Sequence, residues 1–291
     1  YVRERRNVVT APEHIVVGAG VQMLLEILCV LLKGRRTVSF PDGSFVQGST
    51  VFAAHGYTVR TRYKDADIIY VSPSHMNRQG DVMPIQRRLE LCAHSADTGA
   101  VVIEDDFEND FLYSSTPTPS LYALGSGNVV YMGAFSALLL PGIRISFMVL
   151  SPALAAAYHQ MKDTFAQTAS KTEQIALCAY LRDGNMKSRT KKIRRLYTGK
   201  AKTLCTLLAK ALPDHPVRVG ENGLQVQIET PMLPDSAPFE QAGLALYIVK
   251  EKSGKNIVVV SPSAVPADRL EEAAHAVAAA LYKAEEAAKA K

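Results

Sequence analysis

Val-Val-Tyr-Met-Gly-Ala-Phe-Ser-Ala-Leu-Leu-Leu-Pro-Gly-Ile-Arg-Ile-Ser runs from Val129 to Ser146. Its opening residues are apolar without alternation, the pattern of a strand covered on both faces. Gly-Ala-Phe-Ser reads as a turn, which puts Ser136 just past the C-terminal end of that strand. The apolar run that follows breaks at Pro141-Gly142, and a second strand carrying Arg144 comes after it. In open α/β sheets, ligands gather beyond the C-terminal ends of the strands.

Further strands read outward from this pair. Thr37–Phe40 and Tyr57–Arg62 are short strands, Asp67–Ser72 and Ala100–Glu104 are short and largely apolar, and Ile143–Leu150 follows the Pro-Gly break. They alternate with helical spacing over Val21–Leu32, Phe45–His55 and Pro84–His94. That alternation predicts an α/β domain around a mostly parallel sheet. Asp105 and the segment after Ser72 join Ser136 at strand ends. Gly18-Ala19-Gly20 opens the Val21–Leu32 helix, so backbone N–H groups and the positive end of the helix dipole converge there. By itself this turn reads first as a plain helix start, being neither a Walker loop nor a full dinucleotide fingerprint.

Residues 1–160 are assigned to this large domain, with a helical bridge from Pro152 to about Asp183. Residues 184–291 are assigned to a small α+β domain. It has a long helix over Lys187–Leu212, strands at Val217–Val219, Leu224–Glu229, Leu244–Val249 and Asn256–Val260, and a helix over Ala267–Lys283. Glu285 to Lys291 reads as a fraying end. The cations from Lys187 to Arg195 read as a solvated face, with a DNA-contacting helix as the sharper alternative.

The chain has 291 residues, 47% of them hydrophobic, enough for one large core and a smaller one. It has no apolar run long enough to span a bilayer, and no signal region follows the charged Tyr1–Arg6 segment. That segment begins as if in mid-helix, so an upstream piece is expected. Four widely spaced cysteines (Cys29, Cys92, Cys178, Cys205) suggest buried, reduced thiols in a cytoplasmic protein and lack the spacing of a zinc site. The net charge of +5 permits an acidic or phosphorylated ligand without demanding nucleic acid.

Taken jointly and in order, several motifs resemble the aminotransferase-like domain of MocR/GntR-type transcription regulators, which has the fold type I architecture of pyridoxal-phosphate (PLP) enzymes. The resemblance rests on Gly20-Val21-Gln22, Ser72-Pro73-Ser74-His75, Glu104-Asp105-Asp106-Phe107 and the Ser136…Arg144 segment, with Asn77 to Gly80 as a looser match. It implies a fold like that of aspartate aminotransferase, a homodimer with sites at the subunit interface, and a DNA-binding domain absent from this chain. It also implies cofactor-binding roles for Gly20, Val21, Gln22, His75, Asn77, Asp105, Phe107, Ser136 and Arg144. Asp105 would be the carboxylate at the pyridine nitrogen, and Arg144 would pair with the phosphate.

The same resemblance marks what is missing. The lysine that anchors the cofactor belongs at position 137, which is Ala137, and no lysine lies between Asp65 and Met161. Phe107 replaces a tyrosine, and Ala134 replaces a threonine. Phe45 and Gln47 stand where such regulators carry an aromatic hydroxyl and, in some, a carboxylate-binding arginine. A loop and helix usual in the family are shortened or absent before Asp67. The expected function is therefore an effector domain that binds PLP or an amino-acid-like relative without a covalent bond and has impaired catalysis. A working PLP-dependent aminotransferase and a cofactor-free pseudoenzyme remain as alternatives.

Overall fold

The computed structural model describes residues 1–77, 79–106, 119–125, 127–136, 138–140, 142–250 and 254–289. Phe107 and Ala137 lie outside these residues. The chain forms two compact units. Among the described residues, the first takes residues 1–76, 83–106 and 119–189, and the second takes 77, 79–82 and 190–289.

The first unit is built on a seven-stranded sheet. Its strands in chain order are β1 (Ile15–Ala19), β2 (Thr37–Phe40), β3 (Thr58–Thr61), β4 (Ile68–Val71), β5 (Val101–Asp105), β6 (Val129–Ala134) and β7 (Ile145–Val149). Their spatial order is β1-β7-β6-β5-β4-β2-β3. β7 pairs antiparallel with both β1 and β6, and the other pairings are parallel. The sheet is therefore mostly parallel, as the sequence pattern predicts. Its helices are α1 (Val2–Arg6), α2 (Val21–Leu31), α3 (Val46–Ala54), α4 (Ile85–Thr98), α5 (Leu121–Leu124), α6 (Pro152–Met161) and α7 (Lys171–Arg182).

Alternation along β5 shows why its residues are apolar throughout. Val101 and Ile103 face a core shared with Leu24, Leu28 and Phe52 of α2 and α3, while Val102 faces Leu91, Cys92 and Leu121 of α4 and α5. Helical layers cover both faces, the usual condition of a parallel sheet.

This topology gathers one edge. β1, β4, β5 and β6 run in the same direction and end there, and β7 starts there. Gly20, the turn after Val71, Asp105, Ser136 and Arg144 therefore lie along that edge. Two local readings change. Gly18 and Ala19, expected in a turn, instead end strand β1 on the sheet's antiparallel side. The expected bridge helix is broken between α6 and α7: Phe165 is extended, and Ser170 starts a new helix by accepting from the Glu173 N–H. Ser170-x-x-Glu173 is the capping-box spacing that marks such a start.

The second unit contains an antiparallel sheet in the order β10-β11-β9-β8, formed by β8 (Val217–Val219), β9 (Val226–Thr230), β10 (Tyr247–Lys250) and β11 (Asn256–Val260). Helix α8 (Asn185–Ala211) supplies Leu204, Leu208 and Ala201 to its core, α9 (Ala237–Gln241) supplies Phe239, and α10 (Leu270–Lys289) supplies Val277, Leu281 and Ala284. Glu285 does not fray. It is buried in α10, and its Oε1 lies 2.9 Å from Nε2 of the buried His215. The thiols also differ from expectation: Cys29 and Cys92 are buried, but Cys178 is exposed and Cys205 is intermediate. No helix among the described residues is long and apolar enough to cross a membrane.

Candidate functional site

The site begins at the junction of β1 and α2. Gly20 has φ +92°, a conformation L side chains rarely adopt. A Cβ at Gly20 would lie 2.6 Å from an Arg144 terminal nitrogen, so the guanidinium rests directly against this turn. Val21 and Gln22 are the first two residues of the eleven-residue α2, and no side chain caps that end among the described residues. Their N–H groups and the helix dipole favour an anion, and Arg144 adds a full positive charge beside them. Arg144 reaches this position from just before β7 rather than from within the strand. Thr168 secures the approach: its Oγ1 accepts a 2.9 Å hydrogen bond from the Ala19 N–H. Ser136 occupies the turn after β6, which is pinned by the Phe135 N–H donating to the Ile145 carbonyl at 3.0 Å.

Asp105 ends β5. The Tyr70 hydroxyl, from β4, donates to its Oδ2. Tyr70 pairs in register with Ile103, so it shares a face with Ile103 and Asp105. Burial pushes the Tyr70 phenol well above its ordinary range, and the Asp105 charge adds to that effect, so Tyr70 stays a donor. Aromatic rings fix it in place: its centroid lies 5.0 Å from Phe40 and 5.3 Å from Phe45. One carboxylate oxygen of Asp105 is thus oriented by a neutral phenol. A carboxylate oriented in this way suits a cationic N–H.

The residues flanking Asp105 point to the opposite face and enter a buried ionic network. The Arg6 guanidinium of α1 approaches Asp106 at 2.7 Å and Glu104 at 3.8 Å. Asp106 also accepts from Tyr131 at 2.6 Å and from Ser74 at 3.0 Å. Glu104 accepts from the Tyr122 N–H at 3.1 Å. Burial first, then the Asp106 charge, raises the Glu104 carboxyl to about 7. Arg88, fully buried, donates to the carbonyls of Met83, Pro119 and Pro73. Together Arg6 and Arg88 hold α1, the turn after β4 and the start of α5 around β5.

His75 lies in the turn after β4, its N–H donating to the Ser72 carbonyl at 3.1 Å. Asn77 falls in the second unit. Its side-chain carbonyl accepts from the N–H groups of Gln79 and Asp81, and its amide donates to Asp81. That side chain builds its own turn. Phe107 and Ala137 lie outside the described residues. Among those described, the structure brings Gly20, Val21, Gln22 and Arg144 together in an arrangement that suits an anion, and it gives Asp105 an unforeseen partner in Tyr70. No cluster of metal-ligating side chains occurs among the described residues.

Sequence comparison agrees with this geometry. The family model described as "Aminotransferase class I and II" matches residues 1–268. The chain belongs to that family. Among curated proteins, it is 29% identical over 277 residues to the HTH-type transcriptional regulator YdeL of Bacillus subtilis, covering 90% of this chain and 58% of that one. It is 33% identical over 241 residues to YhdI, another HTH-type regulator of B. subtilis, covering 78% and 51%. The chain thus spans about half the length of these relatives. Among solved structures it is similar to LysN, an α-aminoadipate aminotransferase from Thermus thermophilus in complex with N-(5'-phosphopyridoxyl)-L-leucine. The TM-score is 0.76 at 22% identity, over 98% of this chain and 80% of that one. At that identity the likeness concerns the fold. The chain is an aminotransferase-like domain of fold type I, homologous to MocR-type regulators, being also 28% identical over 243 residues to the probable rhizopine catabolism regulatory protein MocR of Rhizobium meliloti, over 78% of this chain and 49% of that one.

Proposed function

We propose that this chain is the ligand-sensing domain of a cytoplasmic transcription regulator, holding PLP or a close relative without a covalent bond and with little or no turnover. The carrying observation is the Gly20–Arg144 cradle standing in a chain whose lysine position is Ala137. The cradle suits a phosphate, and Asp105 suits a protonated pyridine nitrogen. Those are the two charged ends of PLP. When bound, PLP supplies an electron sink for amino-acid chemistry. Using that sink needs a covalent anchor and a proton carrier, and alanine provides neither.

Each remaining residue has a holding role. The α2 N-terminus, Arg144 and Ser136 bind the anionic end. Asp105, oriented by Tyr70, binds the cationic end. Phe107 and His75 are proposed against the ring, while Asn77, whose side chain serves its own turn, is the weakest member of the set. The resemblance to fold type I aminotransferases implies a homodimer, and the HTH-type relatives support DNA being read by a helix-turn-helix domain outside this chain.

Thermal melting with PLP, followed by borohydride reduction and mass spectrometry, tests this reading. A ligand selective for the folded state raises the melting temperature, by several degrees at about 100 times its Kd. The expected result is such a rise, lost in Arg144→Gln, with no pyridoxyl adduct on any lysine. An adduct with transamination would instead make the protein a working aminotransferase. No shift at any PLP concentration would leave a cofactor-free pseudoenzyme.

A further inference from the structure

Helix α8 is 27 residues long and carries nine lysines and arginines with no aspartate or glutamate. The whole chain has a net charge of +5, so without this helix it would carry −4. The net positive excess of the protein is therefore more than matched by the charge of this one element. A helix that only needed solubility would intersperse carboxylates, since like charges three or four residues apart repel and opposite ones attract. Its first turn, where a carboxylate would complement the dipole, has none.

Within the second unit, Lys191, Lys192 and Arg195 are all exposed, while Thr190, Ile193 and Thr198 are buried. Lys191 and Arg195 are four residues apart, and Lys192 and Arg195 are three apart. All three therefore lie within one solvent-facing arc. Lys191 and Arg195 rise about 6 Å along the axis, a spacing at which two cations can meet successive charges of a polyanion. Among the described residues, no carboxylate pairs with any of the three.

We infer that this face of α8 is a second, sequence-independent contact with the phosphate backbone of duplex DNA, made by this chain itself. The complementarity is that of a carboxylate-free cationic face for a regular polyanion. Choosing DNA over another polyanion rests on the regulator reading. The contact would add to base recognition by a helix-turn-helix domain without sharing its specificity, since phosphate contacts position a protein and base contacts specify the sequence.

The test is fluorescence anisotropy of this chain with a short duplex of arbitrary sequence, titrated at several salt concentrations. Each phosphate neutralised contributes about 0.9 to the slope of log K against log salt. Three such contacts therefore weaken binding roughly 40-fold between about 50 and 200 mM salt. The triple variant Lys191→Gln, Lys192→Gln, Arg195→Gln should lose about 2.7 of that slope. It should keep the wild-type melting temperature and its response to PLP.

Absence of binding at about 50 mM salt, or an unchanged slope in the triple variant, would overturn the inference. Phosphatidylserine vesicles provide the remaining arm. If they bind as well as the duplex and the triple variant loses both, the face serves an anionic membrane and the DNA assignment fails. Because the PLP response is measured on the same variant, failure of the ligand reading is seen separately from failure of the DNA contact.

Discussion

Arg6 shows how much of this site depends on a residue outside it. It comes from a five-residue helix near the start of the chain and is 7% exposed. Its guanidinium forms ion pairs with Asp106 and Glu104, the two carboxylates on either side of Asp105. Removing one partner of a buried ion pair costs far more than the pair contributes, because the other charge stays buried without compensation. Arg6→Met should therefore destabilise the first unit by about 3–5 kcal/mol, read as a drop in the urea midpoint. Arg6→Lys keeps a charge and should recover part of the loss, since ammonium lacks the planar fork. A midpoint within error of wild type for Arg6→Met would show that the network does not depend on this contact.

Elements differ in how far sequence alone could place them. β5 and β6 were legible because unbroken apolar runs have few other uses, and the positions of Gly20, Asp105 and Arg144 followed from the resemblance. Tyr70 was not recognised, because a tyrosine in an apolar strand looks like core until the β4–β5 register puts it beside Asp105. Arg6 was not recognised either, since a charged residue near a chain end reads as solvent-facing. Asn77 was matched to a family motif, but its side chain is occupied by the turn that contains it. The end of α10 misled for a related reason. Glu285-Glu286-Ala-Ala-Lys has the composition of a fraying tail, yet Glu285 meets a buried histidine from 70 residues earlier. Deleting residues 285–291 should therefore destabilise the second unit, by roughly 2 kcal/mol for the lost hydrogen bond to His215. A fraying tail would cost nothing, so calorimetry of the truncated chain separates the two descriptions.

At the scale of the whole molecule, two carboxylates, the half-buried Asp67 and the buried Glu104, act on the pH dependence of stability in opposite directions. Backbone hydrogen bonds from Arg36, ahead of those from Thr37, hold Asp67 below its ordinary value of 3.8. Its stabilisation is present above that value and is lost in stronger acid. Burial raises Glu104 from 4.5 to about 7. Below 4.5 the folded and unfolded chains both hold this proton. Between 4.5 and about 7 the folded chain holds more of it, so stability falls as pH rises through that window. Above about 7 both states are ionised, and the full cost of a buried charge remains. Glu104 should accordingly contribute a loss of stability between pH 4.5 and about 7, on the order of 3 kcal/mol. Glu104→Gln can still accept from the Tyr122 N–H but has no proton to release, so it should flatten the decline and be the more stable protein at pH 8. Urea midpoints of both proteins across this range test the assignment. A decline of equal size in the variant would place the titrating group elsewhere.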